Sequence, residues 1–537
     1  MRTSSYVIHV DLPEQDEQVL IIQGYTGAYD MVSRSVAQFL KANEPDRHAA
    51  AHGEWPDEPR PTDAATPSEE TLSVLRARGY ITDTSIADER ERVRKLAART
   101  HDTELQRKPN YVLMMSYDCN LRCGYCFQDH MRTDPAYRHL LRAMDRPMID
   151  RLMTAMRQID ATHRGAQGKR QLTLFGGEPL LAENRPMVEY LLERLESEGG
   201  ADIHAVTNAT ELHHYLDLLR PDAIQTIQVT IDGPRDEHDL RRIRPDGGGS
   251  FDTILDNLAL AAKRDIGISV RINVDRTNVE RLPELARVFA ERGLDRLPRV
   301  YIYAAVVHAT NEHIEKRDTF SQYALSKRIA EMRLDHPAMA AVHGPTEELK
   351  SQLRRIMRKE QLPWMEFRAS YCGAHTTMYV IDPFGDIYAC WERTGDPSIK
   401  IGTVSDKGEV HLLRSAPEMA PPATTESTLS RATAPGLPAS PPAPRKLLPV
   451  LGKPKIAGVD AWRARTIATN DTCLSCKYAF YCGGGCAAEA IDHKLAYYTN
   501  FCSGFQQKFR VTAAETLAEL RAGVQFGPPD AVSTCGH

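Results

Sequence analysis

A chain of 537 residues is too long for one ordinary core, and at roughly 150 residues per domain it suggests three or four domains. Its apolar content of 42% and charged content of 26% are those of a globular protein, and a formal net charge of −5 gives no electrostatic reason to expect a nucleic-acid partner. No apolar run is long enough to span a membrane, and residues 1–10 alternate like a strand rather than a signal peptide, so a cytoplasmic location is expected.

Residues 1–85 read as a small α+β unit. Strand-like runs at 6–10 and 19–22 precede a helical stretch around 31–40, a polar Pro-rich loop at 44–67 and a second helix at 69–78. Gly79-Tyr80-Ile81 then reads as a helix C-cap and a short strand. Residues 86–109 form a charged helical linker with a solvated face.

From Asn110 the pattern changes. Buried strands are predicted at 111–117, 172–175, 203–207, 226–231, 269–274 and 300–306, with helices between them at 148–158, 187–196 and 251–263. Six strand–helix repeats over 110–310 predict a parallel α/β barrel-like domain, whose chemistry sits at the C-terminal strand ends. Residues 311–370 read as a helical bridge, 371–510 as a cysteine-rich domain and 511–537 as a terminal helix and tail. The stretch 415–449 is so rich in Pro, Ala, Ser and Thr that it is expected to be a disordered insertion in the third region.

The eleven cysteines are clustered, which in a large protein from a reducing compartment favours metal ligation over disulfides. Cys119-Asn120-Leu121-Arg122-Cys123-Gly124-Tyr125-Cys126 follows the first strand. Three thiolates on one tight loop can hold three irons of a [4Fe–4S] cube and leave the fourth open to a small chelating molecule. A zinc site would want a fourth ligand, and none lies nearby in sequence. Gly176-Gly177-Glu178-Pro179 ends the second strand, Thr207-Asn208-Ala209-Thr210 the third, and Thr230-Ile231-Asp232-Gly233-Pro234 the fourth. His238, Asp239 and Arg242 follow, and Asn273 with Asp275 ends the fifth. Further on, Cys372 is followed after twelve residues by Gly385 and after four more by Cys390. Cys473-x2-Cys476-x5-Cys482-x3-Cys486 and Cys502 complete a seven-cysteine pattern, two pairs of which would alone be compatible with a zinc ribbon.

The first set of motifs, in this order, resembles the radical S-adenosylmethionine (SAM) superfamily, and the seven later cysteines resemble its SPASM extension. The resemblance implies a partial (β/α)6 TIM-like barrel with a [4Fe–4S] cluster on Cys119, Cys123 and Cys126. SAM would be held by Tyr125, Gly176, Gly177, Glu178, Pro179, Asn208, Thr230, Arg242 and Asn273, with Glu178 accepting from its ammonium group. Relatives usually read TNGT where this chain has Thr207-Asn208-Ala209-Thr210. The resemblance further implies two auxiliary [4Fe–4S] clusters, one on Cys372, Cys390 and Cys486, the other on Cys473, Cys476, Cys482 and Cys502. Family members with two fully ligated clusters carry an eighth cysteine just upstream of the first. Residues 364–371 hold none, so Glu366, Tyr371, His375 or the substrate would complete the first auxiliary cluster, and Cys535 is left as a thiol in a polar tail.

SPASM enzymes include maturases of ribosomally made peptides and anaerobic sulfatase maturases. The latter place an Asp directly after the cysteine equivalent to Cys390, where this chain has Trp391. Residues 1–85 are similar to the winged-helix-like domains that bind an extended leader by strand addition, with a plain packing domain as the alternative. The resemblance therefore implies a maturase acting on a precursor peptide, supplied with electrons by a reductant such as flavodoxin or ferredoxin. A formylglycine-forming enzyme, a radical SAM enzyme acting on a small metabolite, and a non-catalytic electron carrier stand as alternatives.

Overall fold

The computed structural model describes residues 1–12, 17–45, 61, 64–308, 318–414, 458–494 and 498–523. The segment 415–449 and Cys535 lie outside the described residues.

Six parallel strands form the centre: β1 (Asn110–Ser116), β2 (Arg170–Gly176), β3 (Ala201–Thr207), β4 (Ile224–Thr230), β5 (Gly267–Val274) and β6 (Val300–Val306). Neighbouring strands pair in chain order, as unbroken parallel βαβ units require. Apolar runs such as Tyr111-Val112-Leu113-Met114-Met115 are covered on both faces, so they carry no polar alternation. The helix Arg146–Asp160 shows how the outer layer forms. Asp145 caps it by accepting from the Met148 N–H, Pro147 fits the first turn, and Met148, Ile149, Leu152, Met153, Met156 and Ile159 form one buried stripe.

Each of the six predicted strands is present. The third crossover differs from the expected repeat, because β3 and β4 are joined through a short 3₁₀ turn, Leu212–Tyr215, rather than an α-helix. This connection, residues 208–223, is shorter than the 177–200 connection between β2 and β3, and Pro221 lies just before β4.

The sheet continues beyond the barrel. Met378–Ile381 pairs in parallel with β1, and Asp386–Tyr388, Lys400–Val404 and Val410–Leu412 add to it in antiparallel order. At the other end β6 pairs with Val342–His343, giving eleven strands among the described residues. The cysteine-rich region is thus hydrogen-bonded to the first barrel strand.

The N-terminal unit holds a three-stranded antiparallel sheet, Val7–Asp11, Gln18–Gln23 and Tyr29–Ser33. Its third strand corrects the expectation of a helix around 31–40. The helix begins at Arg34, where Ser33 caps it, and the preceding residues pair with the middle strand, Met31 opposite Leu20. One face of this sheet (Tyr6, Ile8, Val10, Leu20, Ile22) shares a core with Cys473, Leu474, Tyr478, Phe480, Tyr481 and Phe509. The Tyr6 hydroxyl donates to the Leu474 carbonyl, and a Cβ on Gly24 would lie 2.1 Å from the Lys477 carbonyl oxygen. This unit is therefore built onto the last cysteine-bearing segment, and its helices and opposite sheet face form a separate core around Val7, Ile21, Phe39 and Leu75.

Candidate functional site

The C-terminal ends of the barrel strands and the loop after β1 enclose a cavity of about 1260 Å³, including its mouth. Cys119, Cys123, Tyr125, Cys126, Gly176, Gly177, Glu178, Asn208, Thr230, Arg242 and Asn273 all line it. Pro179, placed with them on sequence grounds, does not; its carbonyl accepts from Asn184 instead.

The cysteine loop is held from two sides. Arg122–Cys123 pairs with Arg242–Ile243, Cys123 opposite Arg242, while the Gly177 N–H donates to the Ser116 carbonyl and the Glu178 N–H to that of Asp118. Gly176 has φ +138°, and a Cβ on Gly177 would lie 2.0 Å from the Asp118 oxygen. Only glycine permits this approach.

The Glu178 carboxylate does not point freely into the cavity. It accepts from the Thr207 hydroxyl at 2.6 Å, the Asn208 N–H at 2.5 Å and the Leu180 N–H at 2.9 Å. Burial pushes its pKa up to about 7 against the pull of those donors. Its oxygens thus fasten the second strand end to the third, and with three donors on a carboxylate that lines the cavity, one acceptor position is left over.

Tyr125 sits among Asp232, Arg242 and Asn273. Its hydroxyl contacts the fully buried Asp232 carboxylate and accepts from Arg242 at 2.5 Å and Asn273 at 3.2 Å. Asp232 also accepts from the Asn273 N–H at 3.0 Å, so it ties β4 to β5. Arg242 is 6% exposed, yet its Nε has no acceptor among the described residues. A buried guanidinium with a spare donor at a cavity wall suits an anionic ligand group.

Burial pushes the Cys119 thiol up to about 12 and that of Cys123 to about 11, with Arg132 and Arg242 pulling the other way. Arg132 donates to Cys126 Sγ at 3.3 Å and Asn208 to Cys119 Sγ at 3.6 Å. Such thiols become ligands by losing their protons to a cationic centre, and the arginines favour that loss. Among the described residues no three His, Cys, Asp or Glu side chains converge on a single-ion position. The donor set instead fits a sulfide cluster, which separates its thiolates.

Ala209 has φ +63° and is fully buried, in the position where the resemblance leads one to expect glycine. The left-handed region costs a side chain about 1 kcal/mol. Ala209→Gly should therefore stabilise the protein by up to that amount, seen as a higher thermal midpoint, and a lower midpoint would contradict it.

The seven later cysteines gather into two sets by mutual electrostatic influence. Cys390 feels Cys486 and Cys372, whereas Cys473 feels Cys482, Cys476 and Cys502. The loop between Cys482 and Cys486 wraps closely, since a Cβ on Gly485 would lie 1.9 Å from the Phe501 carbonyl oxygen. Of the three side chains considered for completing the first set, Glu366 is engaged by Arg355 through two bonds of 2.6 and 2.8 Å. His375 lies between the Trp462 carbonyl, 3.0 Å from Nδ1, and Arg465, 3.3 Å from Nε2. Tyr371 is half-buried, and desolvation first, then the nearby Cys486, Glu489 and Cys372, hold its phenol well above the usual tyrosine range.

Several cavity residues carry no motif. Trp391 stacks on Phe175 at 5.2 Å, Arg271 donates to Asn273, and Gln228 accepts from Tyr303. His308, two residues beyond β6, lies 3.2 Å from Glu489, which raises its pKa against burial. Its place near a strand end was the only signal in the sequence.

Residues 113–289 match the family model described as Radical SAM superfamily. The chain is 29% identical over 183 residues to a GTP 3′,8-cyclase of Rhizobium leguminosarum bv. trifolii, covering 33% of this chain and 47% of that protein. A GTP 3′,8-cyclase of Xanthomonas campestris pv. campestris is 35% identical over 144 residues, covering 27% and 39%. The chain spans under half the length of these curated relatives. Among solved structures, native anSMEcpe with bound AdoMet superposes with a TM-score of 0.51 at 15% identity, covering 78% of this chain and all of that one. The same protein with bound AdoMet and Cp18Cys peptide gives 0.50 at 13%, with equal coverage. Residues 113–289 are a radical SAM domain. Such a domain implies one [4Fe–4S] cluster and SAM. No described helix is long and apolar enough to cross a membrane.

Proposed function

We propose that this protein is a radical SAM enzyme of the SPASM type that modifies a ribosomally made precursor peptide, installing a crosslink or another oxidative change. When bound, the cluster supplies the electron that splits SAM into methionine and a 5′-deoxyadenosyl radical able to take a hydrogen atom from the substrate. Cys119, Cys123 and Cys126 would hold that cluster, and Arg242 would face the SAM carboxylate with Tyr125 and Asp232 fixing its direction. Thr230, Asn208 and Asn273 line the remaining wall. Glu178, Gly176 and Gly177 hold the loops at the distance SAM needs.

The observation that carries the reading is the continuity of the cavity. Trp391 and Glu392, directly after Cys390, line the same space as the first cysteine loop. A substrate there would sit between the SAM site and an auxiliary cluster on Cys372, Cys390 and Cys486, with the second on Cys473, Cys476, Cys482 and Cys502. The N-terminal sheet would receive the leader, and a flavodoxin or ferredoxin would supply electrons. Trp391 in place of an Asp argues against formylglycine formation. Action on a small metabolite is the second reading, favoured by the cyclase relatives, whose likeness is confined to a third of the chain.

Anaerobic incubation with SAM, a reductant and a peptide encoded beside the gene should give 5′-deoxyadenosine and a peptide whose mass falls by lost hydrogen. Formation of 5′-deoxyadenosine with no change in any such peptide, but with turnover of a nucleotide such as GTP, would replace this reading with the second.

A further inference from the structure

Arg465 is 7% exposed, and among the described residues no carboxylate pairs with it. Its hydrogen-bond partners are neutral: the Thr499 carbonyl at 2.8 Å, the Gly484 carbonyl at 3.4 Å and His375 Nε2 at 3.3 Å. Because a guanidinium can only donate, His375 accepts at Nε2 and its Nδ1–H goes to the Trp462 carbonyl, which leaves the ring neutral. Among the described residues the Arg465 Nε has no acceptor. A buried cation without a counter-charge is strongly unfavourable, so something else must supply the anion.

The surroundings name it. Gly484, whose carbonyl Arg465 holds, lies between Cys482 of one cysteine set and Cys486 of the other, while His375 and Thr499 stand close in sequence to Cys372 and Cys502. Burial lowers the Arg465 pKa, and cysteines of both sets, Cys486, Cys372, Cys473 and Cys482, pull the other way. Arg465 is therefore lodged between the two sets. Thiolate-bound iron–sulfur clusters are anionic, and net charge and hydrogen bonds to sulfur set their potentials.

We propose that Arg465 is the shared counter-ion of the two auxiliary clusters, raising the reduction potential of both and excluding His375 as a ligand. This rests on the auxiliary-cluster part of the proposed function. A cation favours the reduced, more negative state of each cluster, and low surrounding polarity strengthens that effect. Arg465 would act as a positioning and tuning residue rather than a catalytic one.

The test uses full-length protein reconstituted anaerobically, with iron counted before reduction potentials are measured by EPR-monitored titration. Arg465→Met should shift both auxiliary potentials to more negative values. The cluster on Cys119, Cys123 and Cys126 should keep its potential, and Arg465→Lys should recover part of the shift. Unchanged auxiliary potentials in iron-replete Arg465→Met, or a shift in only one cluster, would overturn the shared role. If Arg465→Met does not take up iron, Arg465→Lys decides. Full iron with potentials near wild type supports the charge, whereas loss of iron there too assigns Arg465 to shape alone and overturns it. Wild-type protein holding only about four irons, one cube, would instead remove the auxiliary clusters, and the proposal with them, before any variant is made.

Discussion

Replacing Cys119, Cys123 and Cys126 together with alanine should abolish 5′-deoxyadenosine formation and lower iron from about twelve to about eight per chain, four for each remaining cube. The remaining iron is the informative part. The later cysteines draw their packing from other elements, Cys390 after Asp386–Tyr388 and Cys473 from the core it shares with the N-terminal sheet. Their clusters should therefore survive loss of the first. SAM cleavage persisting in the triple variant would exclude the proposed chemistry, and loss of all iron would show that the sites assemble together.

An equally large loss is expected from one methyl group. In Gly177→Ala the added Cβ would lie 2.0 Å from the Asp118 oxygen and 2.6 Å from that of Tyr117, both backbone atoms that cannot rotate away. Relief requires the loop after β2 to separate from the loop after β1, breaking the bonds from Gly177 to Ser116 and from Glu178 to Asp118. Overpacking of this kind costs on the order of 1–3 kcal/mol and here falls directly on the cavity wall. SAM cleavage should be lost while auxiliary iron remains. Gly124→Ala is the control, since a Cβ there meets nothing within 4 Å although Gly124 lies inside the cysteine motif. Equal activity of the two variants would show that the close approach at Gly177 is not what shapes the site.

The first five strands and the loops at their ends were legible because each leaves a local mark, an apolar run with Cys, Gly or Asn at or just beyond its end, and the sixth was legible from its apolar run alone. Met378–Ile381 beside β1 left none, because a run of four apolar residues does not say which distant edge it joins. Tyr29–Ser33 was misread because its mixed polarity resembles a helix start and only its pairing with Gln18–Gln23 makes it a strand. Glu178 was legible as a site residue, but not its tie between two strand ends, since the three donors it accepts from come from Leu180, Thr207 and Asn208. Arg132 and Arg465 are single residues outside any motif, and burial near thiols is what distinguishes them. Asp232 stood inside a quoted motif, yet its link to Tyr125 and Asn273 depends on how β4 and β5 align.

The strand pairing at the barrel's first edge also bears on how the chain is made. Met378 lies beside Asn110, about 270 residues apart in sequence, and Tyr111 packs near the Tyr379 ring. During synthesis β1 therefore presents an apolar, unpaired edge until most of the protein has left the ribosome. An exposed strand edge of that kind invites pairing with other chains. The barrel segment expressed by itself should accordingly be prone to aggregation, and the cysteine-rich region serves the nascent barrel as its own edge cover.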